Sequence, residues 1–158
     1  MHNKFWKIVN LFLFAAMIGV GCKSGPSNSE AVKVFLESKD TYERLVTRRS
    51  EINNEVRRID NSLSNADTTA ITIVSNLLDD LDNVDQLLKQ WYRDVPVVPG
   101  NEVGEKKVDP NLSAEEMLKQ QLEYKEKIQY IDSRITDMST ALETLKAIPI
   151  KPRERMTQ

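Results

Sequence analysis

Residues 113–147, SAEEMLKQQLEYKEKIQYIDSRITDMSTALETLKA, carry the pattern that decides the fold. Met117, Gln121, Tyr124, Ile128, Ile131, Ile135, Met138, Leu142 and Leu145 follow one another at alternating steps of four and three. A helix turns once every 3.6 residues, so this alternation lays them along one stripe, whereas a strand would need every second residue. Gln121 is the one polar member of the set. Ser113 and Glu116 open the segment as a capping box, in which each side chain can satisfy the other's backbone N–H. Pro149 and Pro152 cannot continue a helix. The pattern predicts a helix over 114–147.

Working toward the N-terminus, the same test finds two more helices. Ala70, Ile73, Val74, Leu77, Leu78, Leu81, Val84, Leu87, Leu88 and Trp91 make an apolar face over 68–92, wide enough to touch two neighbours. Val32, Phe35, Tyr42, Leu45, Ile52, Val56, Ile59 and Leu63 mark a stripe over 30–63, with Asn28 or Ser29 as the cap. Two slots of that stripe lack an apolar residue: one holds Ser38 or Lys39, the other Arg49. Arg49 has two readings. Its methylenes can lie along the seam while the charge stays wet, or it is a buried partner for a carboxylate or a ligand. Ser62, Ser64 and Asp67 place a tight turn at 64–67, while Ala66, Ala70 and Ile73 keep the helical phase and leave one continuous helix as the competing reading.

The expected fold is all-α: an elongated, antiparallel three-helix bundle over 30–148, with coiled-coil-like seams. The loop 93–112 carries Pro96, Pro99, Gly100, Gly104 and Pro110, and is long for a compact domain. Trp91, Tyr92 and Arg93, with Val97 and Val98, form the candidate partner contact, because aromatics and arginine dominate interface energies. The alternative is that Trp91 closes the end of the core and Tyr92 packs beneath the loop. Residues 149–158 read as a polar, disordered tail.

Ahead of the bundle, the chain reads as a secretory leader. Lys4 and Lys7 make a positive start, Ile8 to Val20 is apolar apart from Asn10, and small residues follow. That apolar run is too short for the roughly 20 residues that cross a bilayer as a helix. Gly19-Val20-Gly21-Cys22 closes it, and Cys22 is the only cysteine in the chain. This stretch resembles the lipobox of bacterial type II signal peptides: Gly21 and Cys22 match, and Gly19 stands where leucine is usual. The resemblance implies cleavage between Gly21 and Cys22, removal of 1–21, and acyl chains on Cys22 that hold the protein to membrane lipid. Two or more such chains give durable anchoring. Residues 22–29 then act as a flexible tether. By the same resemblance, Lys23 follows the cysteine where aspartate would signal retention at the inner membrane, which implies the outer membrane of the bacterial cell envelope.

Composition narrows the function. The formal net charge is −2, and cleavage would remove two basic side chains and no acidic one, so nothing favours nucleic acid. The sole histidine, His2, lies in the leader. The mature part therefore lacks the imidazole and free thiol that zinc sites, helical di-metal sites and Ser-His or Cys-His nucleophiles need. Asp79-Asp80-Leu81-Asp82-Asn83-Val84-Asp85 is dense in acid but lacks the glycine of a calcium loop, and reads as a solvated face. No metal, cofactor or catalytic residue is expected. The sequence points to a non-enzymatic, lipid-anchored scaffold or assembly factor that binds a protein partner or itself through helical faces. A surface-exposed lipoprotein binding a host or environmental ligand is the alternative.

Overall fold

A computed structural model describes residues 27–64, 67–102 and 106–149. They form three α-helices: α1 (Asn28–Asp60), α2 (Thr68–Asp94) and α3 (Ala114–Ala147). All three pack on one another, giving an all-α three-helix bundle. The expected leader over 1–21, Cys22 and the tail expected from residue 149, save Pro149 itself, lie outside the described residues.

The direction of each helix follows from the ion pairs between them. Lys125 of α3 meets Glu37 of α1 at 2.8 Å, and Arg44 meets Asp132 at 3.0 Å. Both pairs are 88 residues apart, so α1 and α3 run parallel in constant register. Helix α2 runs against both: Arg49 pairs with Asp85 while Tyr42 stacks on Trp91, and Asp80 pairs with Arg134 while Trp91 bonds to Tyr124. The connection between α1 and α2 is therefore a hairpin, not a continuous helix. The topology is up-down-up.

The core is the set of stripes. Ala31, Phe35, Ser38, Leu45, Ile52, Val56, Ile59 and Leu63 are buried along α1, at the four-three spacing, with half-buried Tyr42 and Arg49 in the remaining slots. In α2 the same spacing runs from Ala70 through Trp91 and on to Val95. Ser38 tolerates its slot because its Oγ donates to the Val34 carbonyl at 2.8 Å, leaving no hydroxyl unpaired in the core.

Helix ends are set by local chemistry, and here three expectations are corrected. Helix α1 starts at Asn28 with Ser27 as its N-cap, rather than at 30 with Asn28 or Ser29, so residues 28 and 29, expected in the tether, belong to the helix. It stops at Asp60 rather than 63, because Ser62 turns back on the Ile59 carbonyl through both its N–H and its Oγ. Leu63 stays in the core from outside the helix. Helix α2 runs two residues past 92, to Asp94. Its next residue, Val95, precedes Pro96, and crowding by the proline ring holds it extended at ψ 126°. Ile148 before Pro149 ends α3 the same way, at ψ 128°. The capping box of α3 is complete, with Ser113 accepting from the Glu116 N–H and Glu116 accepting from the Ser113 N–H.

Candidate functional site

Among the described residues, Tyr42, Trp91, Tyr92, Tyr124 and Tyr130 gather where the last turns of α2 meet the first half of α3. Trp91 is 3% exposed, and its indole Nε1 donates to the Tyr124 carbonyl at 2.8 Å. Its ring lies 5.2 Å from that of Tyr42, which also stacks on Tyr92 at 5.4 Å. Burial, with Tyr92 and Asp85 nearby, pushes the Tyr42 phenol above its ordinary range.

The loop after α2 folds back over this end. Val95, Val97 and Val98 are buried, and Val98 is wholly shielded. Pro99 and Gly100 form the turn that permits this: Asn101 N–H bonds to the Val98 carbonyl at 3.0 Å, and Gly100 has φ +77°, the value a type II turn demands at its third position. Gln121, the polar member of the α3 stripe, explains itself here by donating from Nε2 to the Pro96 carbonyl at 2.8 Å. Lys106 comes from the far side of the loop and bonds to the Tyr92 and Val95 carbonyls, satisfying acceptors left open at the C-terminus of α2. Burial pushes its ammonium below the usual lysine range, against the opposing pull of Asp94.

These placements divide the expected contact group. Trp91, Val97 and Val98 pack inside the chain, leaving Tyr92, at 49% exposure, and Arg93 as the accessible pair. Tyr92 does not lie beneath the loop; it stacks outward on Tyr42. Arg93 is tied to its neighbour Asp94 at 2.8 Å. Arg49 combines both of its readings. Its side chain is 24% exposed and faces Asp85 at 3.6 Å, while its Nε is buried without an acceptor. Asp85 is held more closely by Lys89, at 2.6 Å, and that hydrogen bond, aided by Arg49, keeps its carboxyl below the ordinary range against desolvation. Gly21 and Cys22 lie outside the described residues.

One further element escaped the sequence reading. A cleft of about 560 Å³ runs between α2 and α3. Leu87, Trp91 and Ile131 form its floor, and Tyr124 and Tyr130 its aromatic wall. Tyr130 is 58% exposed, the most open large apolar side chain among the described residues. It sits off the α3 stripe, and an aromatic on an otherwise polar face was the available signal. Carboxylates of Asp94, Glu123 and Glu126 rim the cleft, and the Lys127 ammonium lies 4.0 Å from the centre of the Tyr124 ring. Among the described residues, no group of three or more His, Cys, Asp or Glu could hold a metal ion, and no helix is long and apolar enough to cross a membrane. No family model matches this chain, nor does any curated protein or solved structure to which it was compared.

Proposed function

We propose that this chain is a lipid-anchored protein of the bacterial cell envelope that holds a protein partner on its helical bundle and performs no catalysis. The observation that carries the reading is the position of Cys22. It is the single thiol of the sequence, it directly follows a short apolar leader, and α1 begins only six residues later. A domain tethered that closely needs no membrane-crossing helix of its own. The described bundle also offers a cleft walled by Tyr124 and Tyr130 and an exposed Tyr92, which are side chains of the type that anchor protein contacts. Lys23 after the cysteine favours the outer membrane.

The test is metabolic labelling with a radioactive fatty acid, compared between the wild-type chain and Cys22→Ser. The expected result is label in the wild type alone, with the variant retained as an unprocessed precursor. An unlabelled wild type, or a variant that matures and fractionates normally, would remove the anchor. Site-specific crosslinking at Tyr92 and Tyr130 in intact cells then tests for a partner. Crosslinks to one protein at reproducible stoichiometry are expected, and none at either position would overturn the binding role.

A further inference from the structure

We infer that the α2–α3 cleft is a seat for an arginine side chain presented by a partner protein, flanked there by apolar residues. The inference rests on the protein-binding reading above and makes it chemically specific. Three observations carry it. The cleft is mainly apolar, and its volume of about 560 Å³ falls within the roughly 300–1,000 Å³ typical of ligand pockets, so it can hold more than one side chain. Its wall already takes a cation: Lys127 lies over the face of Tyr124, where the ring quadrupole attracts positive charge. Its rim has spare negative charge, because the carboxylates of Glu123 and Glu126 make no ion pair or hydrogen bond among the described residues, while Asp94 is occupied by Arg93.

These features select the occupant. An apolar ligand would leave both carboxylates without counter-charge and gain nothing from them. A lysine could repeat the Lys127 contact, but its ammonium is a compact, strongly hydrated point charge. A guanidinium is planar and weakly hydrated. It can stack on a tyrosine ring while its fork of donors reaches a carboxylate. Lys127 is on a flexible stem at an exposed position and can swing to solvent as the guest enters.

The experiment uses the full chain in nonionic detergent and three capped seven-residue peptides, identical except for arginine, lysine or citrulline at the centre, with leucine on each side. Citrulline keeps the shape of arginine and lacks its charge. The arginine peptide should bind about tenfold more tightly than the citrulline peptide, with lysine between them, and the preference should shrink as salt rises. The double variant Glu123→Gln/Glu126→Gln should abolish the preference, and Tyr130→Ala should weaken all three peptides. Asp79→Asn/Asp82→Asn, exposed acids of α2 outside the cleft, should leave them unchanged. Equal binding of arginine and citrulline, a preference that survives the Glu123/Glu126 variant, or no binding at all would overturn the inference. So would a chain that self-associates in sedimentation and is released to monomer by the same double variant, because the occupant would then be a second copy. The two claims fail separately: crosslinking to a partner with indifferent peptides sinks only the arginine seat, whereas absent fatty-acid label with a clear arginine preference sinks only the anchor.

Discussion

Replacing Arg49 by methionine should make the bundle more stable, although it deletes an interhelical ion pair. The side chain occupies a core slot of the α1 stripe between Leu45 and Ile52, and its Nε is buried without an acceptor. An unsatisfied buried donor costs about 1–3 kcal/mol, and the lower end applies because the side chain is 24% exposed. The ion pair lost is a single contact at 3.6 Å to a carboxylate that is itself 30% exposed, a class that contributes about 0–1 kcal/mol. Asp85 is not stranded by the change, because Lys89 still holds it at 2.6 Å. Methionine adapts to irregular gaps and fills the slot with apolar atoms. The net is a gain on the order of 1 kcal/mol, which for a domain of this size raises Tm by about 3–6 °C. Urea and thermal unfolding of the full chain in detergent, followed by far-UV circular dichroism, would measure it. Asp85→Asn is the control and should lower Tm, since it leaves Arg49 without its counter-charge. A fall in Tm for Arg49→Met would refute the argument and mark Arg49 as a structural or ligand-holding charge.

Other outcomes follow from the same geometry. Trp91→Ala should cost about 3–5 kcal/mol by emptying the junction of α2, α3 and the loop, whereas Tyr92→Ala, at an exposed neighbouring position, should stay within about 1 kcal/mol; urea midpoints compare the two. Ser113→Ala should cost about 1 kcal/mol and speed amide exchange in the first turn of α3, where the capping box is lost. The folded-state pKa of Asp85 is lowered, so its contribution is present above the ordinary carboxylate pKa and disappears as pH falls through the lowered value. A plot of Tm against pH should therefore be flatter on the acid side for Asp85→Asn than for the wild type, below about pH 4. Lys106→Gln should expose the loop to limited proteolysis between Val95 and Leu112, because the ammonium that ties two carbonyls of the α2 terminus is gone.

The helices were legible because each carries a long periodic signal that local chemistry reinforces. In α3 the stripe, the capping box and Pro149 all agree, and the helix spans the residues the pattern predicts. Where signals conflict, the reading slips. Leu63 belongs to the stripe, but Ser62 offers the Ile59 carbonyl another donor and the helix stops short of it. The loop valines misled for a different reason. Val97 and Val98 lie outside any helix, so no periodicity reports their burial. Contacts distant in sequence hold that segment, among them Gln121 of α3, 25 residues from Pro96, and Lys106. The α2–α3 cleft needs the register between two helices before its walls exist. Sequence could offer Tyr130 as an oddity on a polar face, and no more.

An odd number of antiparallel rods has a consequence of parity: the polypeptide comes in at one pole and goes out at the other. Ser27 and Ile148 therefore stand roughly 50 Å apart, the length of the 34 residues of α3 at about 1.5 Å each. Tyr42, which stacks against the base of the cleft's tryptophan, is 14 residues into α1 and so only about 20 Å from the entry pole. If Cys22 carries the proposed acyl chains, a guest held there lies nearer the anchored pole, at a lower height above the lipid than the exit pole. A fluorescent acceptor near Ser27 and another near Ile148 should report those two heights separately from a single labelled bilayer.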